Sequence, residues 1–82
     1  MTVNFPAALH PLAGATLVVH EAVSTVGQLL RALDGMVPGL GQALDDPLYN
    51  IAVNDELVLH GVDQRVVASG DIVEIVPTIA GG

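Results

Sequence analysis

The chain has 82 residues, 51% of them hydrophobic, and a formal net charge of −7, with Arg31 and Arg65 as its two fixed cations. One domain is expected at this length, and two cations cannot form the clustered basic surface that binds nucleic acid, which excludes that class of partner. Cysteine is absent, which excludes disulfides, thiolate metal sites and a thiol nucleophile and fits a reducing cytoplasm.

The start of the chain is uncharged, which raises the question of a membrane segment. The first 20 residues contain no Asp, Glu, Lys or Arg, but Pro6, Pro11 and Gly14 interrupt them. No unbroken apolar run approaches the ~20 residues of a membrane span, and no basic residues stand near Met1 as they do in a signal peptide. We therefore expect a soluble, cytoplasmic protein without a membrane partner.

Two strands are predicted in the first quarter of the chain. Apolar and polar residues alternate over residues 2–6, which is strand spacing. Residues 7–14 are predicted to continue this strand and then turn, because Pro11 and Gly14 break regular structure. The β-branched run at residues 15–20 predicts a second strand, and two strands so close in sequence favour a hairpin.

An amphipathic helix is predicted next. The pattern Thr25-x-x-Gln28 is a capping box, which is typical of a helix start. Gly35 or Pro38 is expected to end the helix, and residues 39–47 are predicted as a connector with one helical turn followed by a tight turn. The apolar stripe of the helix consists of Val26, Leu29, Leu30, Leu33 and Val37.

Three further strands are predicted in the second half. Residues 49–53 alternate as a strand, and a turn at residues 54–55 leads into a strand at residues 57–59. A turn at residues 69–71 precedes the last strand, residues 72–76. In that strand Val73 and Ile75 are predicted to face one way, and Ile72, Glu74 and Val76 the other.

The order β-β-α-β-β-β predicts an α+β fold of the β-grasp type: a mixed four- to five-stranded sheet packed on one main helix. The first and last strands are the most apolar, so we expect them to be central and parallel. One helix covers one sheet face, and the other face is left without cover. Apolar residues expected on it form either a docking surface or an ordinary scatter of surface hydrophobics: Pro6, Leu57, Leu59, Ile72 and Val76.

The C-terminal sequence is distinctive. We predict a domain over residues 1–76 and a flexible tail over residues 77–82 that closes with Gly81 and Gly82. Two residues without a Cβ let the backbone approach other groups closely, so such a tail can enter a narrow active site. A free carboxylate at Gly82 is a reactive group that needs no side chain.

Several motifs together carry a family resemblance. They are Val53-Asn54-Asp55, Gly70-Asp71-x-Val73 and Pro77-Thr78-Ile79-Ala80-Gly81-Gly82. With them the chain resembles the ubiquitin-like sulfur carriers, the group containing the molybdopterin synthase small subunit and the thiamin sulfur carrier. Within this group it looks most like the carriers that serve cysteine biosynthesis, on the motifs Val3-Asn4-Phe5-Pro6, Pro38-Gly39-Leu40, Asp46-Pro47 and Asn50-Ile51-Ala52-Val53-Asn54-Asp55.

The resemblance implies a role for the tail. An activating enzyme would use ATP and Mg²⁺ to adenylate the Gly82 carboxyl, and a sulfur donor would displace AMP to leave a thiocarboxylate. A second, sulfur-acceptor enzyme would then receive the sulfur. Gly81 and Ala80 would give slim passage into the active site, and Ile79 would anchor in a partner groove. The chain itself would bind no cofactor and hold no catalytic residue.

The resemblance also implies a partner surface at Pro6, Leu57 and Val76. Aromatic residues are common at these positions in the molybdopterin branch, and Pro6 and Val76 are smaller. A molybdopterin synthase small subunit therefore stays an alternative to a carrier for cysteine or a related thio-metabolite. Further alternatives are a ubiquitin-like protein modifier, with Gly82 joined to a target lysine, and an interaction module that never uses its terminus.

Other polar residues give no catalytic pattern. His10, His20 and His60 lack ligand-like spacing, so no metal site is predicted. Ser24 and Thr25 are interpreted as helix caps, because no G-x-S-x-G context surrounds either hydroxyl.

Overall fold

One mixed sheet of five strands organises the molecule, in a computed structural model that describes residues 1–45 and 47–78. The strands are β1 (Thr2–Asn4), β2 (Thr16–Val18), β3 (Tyr49–Val53), β4 (Glu56–Val58) and β5 (Ile72–Pro77). Their order across the sheet is β2-β1-β5-β3-β4, with β1 and β5 parallel and all other neighbours antiparallel. The predicted hairpin, the parallel pairing of the first and last strands and the β-grasp arrangement are thus confirmed.

Residues 7–14 do not form the strand continuation that the sequence predicted. They form a 3₁₀ turn (Ala7–Leu9) and a short helix, α1 (His10–Ala13). Leu9 and Ala13 are buried four residues apart, which is helical spacing, and Pro11 stands in the first helical turn, where it is tolerated. The prediction was wrong because it treated Pro11 as a breaker.

The main helix, α2 (Val26–Met36), begins at the predicted capping box. The Thr25 hydroxyl accepts a hydrogen bond from the Gln28 N–H (3.2 Å), which makes Thr25 the cap. The Gln28 side-chain oxygen reaches back to the Ser24 N–H (2.7 Å). The first bond satisfies an N–H group that the helix itself leaves unpaired, and the second holds the residue before the cap against the first turn, which together fix the start of α2. Ser24, also interpreted as a cap, takes part through its backbone N–H.

The connector after α2 contains the predicted helical turn. The helix runs through Gly35 and ends at Met36, and the next residue is extended, as expected before Pro38. A second short helix, α3 (Leu40–Leu44), follows Gly39, whose φ of +94° favours glycine.

The core lies between α2 and one face of the sheet. Leu29 and Leu33 of α2 are fully buried, as are Val3 of β1 and Val73 of β5. Leu40 of α3 closes the same cluster. In β5 the buried residues alternate with more exposed ones, as predicted, so the strand presents Val73 and Ile75 to the helix and its other side chains to the opposite face.

Two motifs of the family resemblance meet at the start of β5. Asn54 has a φ of +49° in the tight turn between β3 and β4. Its side-chain N–H donates to the Asp71 carboxylate (2.9 Å) and its side-chain oxygen accepts from the Ile72 N–H (2.9 Å). The Ala68 N–H donates to the other Asp71 oxygen (2.8 Å). These residues therefore hold β5 in register against β3 and are structural in role.

This turn makes a prediction about pH. The Asn54 amide and then the Ala68 N–H hold the pKa of Asp71 below its usual value of 3.8. A lowered pKa in the folded state contributes stability at higher pH, and that stability is lost as the pH falls below 3.8 and through the folded pKa. We expect Asp71→Asn to unfold at lower temperature than the unaltered chain at neutral pH, and the difference to shrink in this acidic range.

Thermal denaturation across the pH range measures the difference. Asp55→Asn is the matched control for the change in net charge, because Asp55 lies in the neighbouring turn and accepts none of the described hydrogen bonds. A melting-temperature difference for Asp71→Asn that stays constant with pH would contradict this role of the carboxylate.

Candidate functional site

The face of the sheet opposite α2 is open. Strand pairing places Glu74 of β5 between Asn4 of β1 and Ala52 of β3, and Leu57 of β4 lies across from Ala52. The alternation of β5 adds Ile72 and Val76 to the same face. Leu57 is 46% exposed and Ile72 48% exposed, so this face carries large apolar side chains in contact with water.

The predicted partner residues lie on this face but not all together. Pro6 and Val76 line one groove of about 270 Å³, which also includes Glu74 and Pro77. Leu57 is two strands away from β5, roughly 10 Å at the usual strand spacing, and lies in a separate depression with Leu59. The three residues therefore share one face of the sheet without forming one cluster. Partner binding at these residues stays a prediction.

The predicted tail leaves the sheet beside the start of β3. Strand β5 extends to Pro77, which pairs with Tyr49. The Thr78 N–H donates to the Leu48 carbonyl (2.6 Å), and the Thr78 hydroxyl donates to the Pro47 carbonyl (3.0 Å). The first two residues of the predicted tail, 77 and 78, are therefore held by the sheet and the loop before β3.

The other tail residues, Ile79, Ala80, Gly81 and Gly82, lie outside the described residues. What the structure gives is the point from which they depart. Thr78 stands at the end of β5 that borders the groove with Pro6 and Val76. The last described residue before the predicted reactive end thus lies at the same end of the sheet as Pro6 and Val76.

Fixed charges are distributed unevenly over the molecule. Of the strand residues on the open face, all of which the structure describes, Glu74 is the charged one. Arg65 pairs with Glu56 of the edge strand β4, and Glu56 lies opposite Val53, a buried residue of the core face. Arg31 belongs to α2. The described strand residues of the open face are therefore uncharged except for the Glu74 carboxylate, and none of them is a fixed cation.

A second concavity lies on the helical side of the molecule. It measures about 750 Å³ between α2, α3 and the turn Val62–Gln64, and carries the carboxylates of Asp34, Asp45 and Asp63. The Asp34 carboxylate already accepts the N–H groups of Gly39 (3.2 Å) and Gly41 (3.0 Å), which fixes the connector between the two helices. Of the three carboxylates in this acidic cluster, that of Asp34 therefore has a structural role.

The structure brings no ligand set together from the histidines. His10 Nε2 lies 2.9 Å from the Phe5 carbonyl oxygen, which ties α1 to the end of β1. In residues 1–45 and 47–78 no group of three or more His, Asp or Glu side chains could hold a metal ion. None of the helices within these residues is long and apolar enough to cross a membrane.

Two features of the site were missed by sequence reasoning. The anchoring of Thr78 by residues 47–48 joins positions about thirty apart, and no local pattern signals such a contact. The isolation of Glu74 on the open face was detectable, because the alternation in residues 72–76 already placed Glu74 beside Ile72 and Val76.

Comparison with known proteins gives one family. The family model described as the ThiS family matches residues 3–82. The sulfur carrier protein CysO of Mycobacterium tuberculosis is 34% identical over 91 aligned positions, which cover 100% of this chain and 98% of the relative. The resemblance to sulfur carriers inferred from the motifs is thereby confirmed.

Solved structures agree with the fold. The crystal structure of M. tuberculosis CysO has a TM-score of 0.81 at 31% identity, covering 95% of this chain and 98% of that one. A chain of the Amycolatopsis orientalis BexX/CysO complex gives 0.81 at 28% identity and covers 99% and 98%. SAMP1 from Haloferax volcanii gives 0.75 at 29% identity and covers 100% and 98%.

Proposed function

The chain belongs to the ThiS family of ubiquitin-like sulfur carriers, and from this membership we propose that it carries sulfur on the carboxyl group of Gly82. The observation that carries the proposal is the family match, which extends over the whole domain and through the Gly-Gly motif to residue 82. In this role the β-grasp domain provides the surface that partner enzymes bind while they act on Gly82.

The proposed chemistry first loads sulfur onto Gly82 and then transfers it. A carboxylate is a poor electrophile, so one oxygen of the Gly82 carboxylate attacks the α-phosphorus of ATP on a partner activating enzyme, and pyrophosphate leaves. Sulfide, or the sulfur of a persulfide, then attacks the acyl carbon and AMP leaves, which gives a thiocarboxylate. A persulfide donor leaves an acyl disulfide that a thiol must cleave. The thiocarboxylate is a soft nucleophile that attacks an acceptor on the second enzyme.

Electrostatics support assigning ATP and Mg²⁺ to the partner. The chain has a net charge of −7 and no lysine, so it repels a polyphosphate and offers it no cationic site. The protein is a co-substrate in this scheme and works where ATP is available, in the cytoplasm. The activating enzyme must therefore supply the cations as well as the metal.

The position of the tail supports delivery of Gly82 into a partner. Thr78 is held by two hydrogen bonds to residues 47–48, and four residues reach at most about 14 Å when fully extended. Gly81 and Ala80 keep this arm narrow, and Ile79 is its bulky apolar residue. The partner enzyme must therefore lie against the end of the sheet, where Pro6 and Val76 line the groove.

For the acceptor we propose the synthesis of cysteine or of a related thio-metabolite. The full-length similarity to CysO carriers favours this pathway. The alternative, a molybdopterin synthase small subunit, is less favoured because Pro6, Leu57 and Val76 supply no aromatic side chain to the open face.

A protein modifier is the second candidate function. SAMP1, a structural relative at 29% identity, is a small archaeal modifier protein by name. In this role the Gly82 carboxyl forms an isopeptide bond with a lysine of another protein. The chain has no lysine of its own, so it cannot form lysine-linked chains of itself.

Mass spectrometry of the intact chain tests the proposal. After incubation with ATP, Mg²⁺, the activating enzyme and a sulfide source, we expect the mass to rise by about 16 Da, because sulfur replaces one carboxyl oxygen. The added mass should map to the C-terminal peptide that contains Gly82.

The matched control omits ATP and should leave the mass unchanged. Conjugates of higher mass that survive denaturing electrophoresis would favour the modifier role. An unchanged mass with every activating enzyme encoded in the source genome would contradict the carrier proposal.

A further inference from the structure

Glu74 is the feature of the open face that the proposed function does not use. It lies at the centre of that face on β5, the strand that leads to the tail, and it is half-buried between Asn4 and Ala52. Among the described residues no group pairs with its carboxylate. A carboxylate in such a place is accessible to a second protein.

The surroundings of Glu74 form a groove with apolar walls. Pro6, Val76 and Pro77 line it together with Glu74, and its volume is about 270 Å³. Asn4 also lines it, and its side-chain oxygen accepts a hydrogen bond from the Thr16 hydroxyl (2.9 Å). The groove therefore combines the Glu74 carboxylate with the hydrocarbon surfaces of Pro6, Val76 and Pro77.

The proposed function requires that a partner cover this groove. The activating enzyme must take Gly82 into its active site, and the four residues beyond Thr78 span at most about 14 Å. Its surface must then come to rest on the last residues of β5 and on Pro6. An enzyme surface that also covers the groove removes water from Glu74.

The removal of water from Glu74 determines which kind of partner side chain can pair with it. A carboxylate removed from water is costly unless a cation or strong hydrogen-bond donors replace the solvent. No fixed cation among the described strand residues of this face can do so, because Arg31 and Arg65 lie elsewhere. A guanidinium fits better than an ammonium group, since it is more weakly hydrated and bonds both carboxylate oxygens at once.

We propose that the groove around Glu74 receives an arginine side chain of the activating enzyme, which pairs with the Glu74 carboxylate while its stem lies against Pro6 and Val76. This inference rests on the proposed function, because it is the transfer of Gly82 that brings the enzyme onto this face. The pair fixes the orientation of the domain on the enzyme and so directs the tail towards the enzyme's active site.

The test compares variants of Glu74 in two assays with the purified activating enzyme. Isothermal titration without ATP gives Kd, and thiocarboxylate formation gives kcat and KM. We expect Glu74→Gln to raise Kd and KM about 10-fold and Glu74→Lys about 100-fold or more. The kcat at saturation should stay within about twofold, since Glu74 touches no reacting atom.

Glu21 provides the matched control. It is exposed, it follows β2, and the pairing of Val18 with Thr2 puts it at the end of the sheet away from the tail. Glu21→Gln and Glu21→Lys change the net charge by the same amounts and should leave Kd within about twofold. Equal effects at Glu21 and Glu74 would overturn the proposal, because they would report net charge alone.

A charge swap identifies the arginine. One Arg→Glu substitution on the enzyme's docking surface should restore binding of Glu74→Lys to within about 10-fold of the original pair. If no such substitution restores it, the pairing is wrong.

Failure of the proposed function gives a different pattern. If the enzyme binds the chain but forms no thiocarboxylate, the carrier proposal fails, and the Kd values of the Glu74 and Glu21 variants still decide the docking proposal. If the enzyme does not bind the unaltered chain, both are overturned.

Discussion

Removal of Gly81 and Gly82 should abolish thiocarboxylate formation while leaving the fold intact. The shortened chain still ends in a carboxylate, now on Ala80, but its reach is reduced by about 7 Å. A misplacement of about 1 Å can cost about 100-fold in rate, so a shortfall of this size should leave no measurable product. Time-resolved mass spectrometry with excess activating enzyme measures the loss.

Two comparisons separate reach from other effects. Gly82→Ala keeps the length of the tail and adds one methyl group, so it should be loaded at a reduced rate. The melting temperature of the shortened chain should stay close to that of the full chain, because the described helices and strands and the hydrophobic core between them all precede residue 79. Loading of the shortened chain at the full rate would contradict the role of Gly82. Full biological function without any thiocarboxylate formation would indicate an interaction module instead of a carrier.

The sequence predicted best where the structure depends on local chemistry. Thr25 and Gln28 are three residues apart, and the hydrogen bond between them is formed as the pattern predicts. The tight turn at Asn54 likewise follows from its residue types. In both cases the deciding contacts are made within a few residues of chain.

Prediction failed where distant packing decides the local structure. Pro11 was interpreted as a breaker, but the burial of Leu9 and Ala13 makes a short helix favourable there. The contact of Asn54 with Asp71 joins residues 17 apart, and neither periodicity nor composition signals it. Such contacts exist only after β5 has been placed beside β3.

The candidate site shows the same division. Alternation in β5 was sufficient to put Glu74 and Val76 on one face, because side chains of a strand alternate between its two sides. The groove formed with Pro6 required the parallel pairing of β1 with β5. Leu57 was grouped with Pro6 and Val76 from the sequence, but the sheet puts its strand two positions from that of Val76 and three from the strand that precedes Pro6.

The core between α2 and the sheet should be far more sensitive to mutation than the open face. Leu29 is fully buried, and Leu29→Ala should lower the free energy of unfolding by about 2–5 kcal/mol, since the surrounding side chains cannot fill the cavity. A domain of this size has about 5–15 kcal/mol in total. Chemical denaturation followed by circular dichroism measures the change. The slope of the unfolding free energy against denaturant concentration should be the same for both chains.

Leu57→Ala is the matched control, because it removes the same atoms from the other side of the sheet. Leu57 is 46% exposed, and we expect a loss below about 1 kcal/mol. If the open face binds partner enzymes, the same substitution should weaken that binding, whereas Leu29→Ala should leave the affinity of the folded fraction unchanged. Equal destabilisation by both substitutions would contradict the division of the sheet into a core face and an open face. In the proposed function, this division lets β5 pack against the helix with one set of side chains while the other set stays accessible to a partner enzyme.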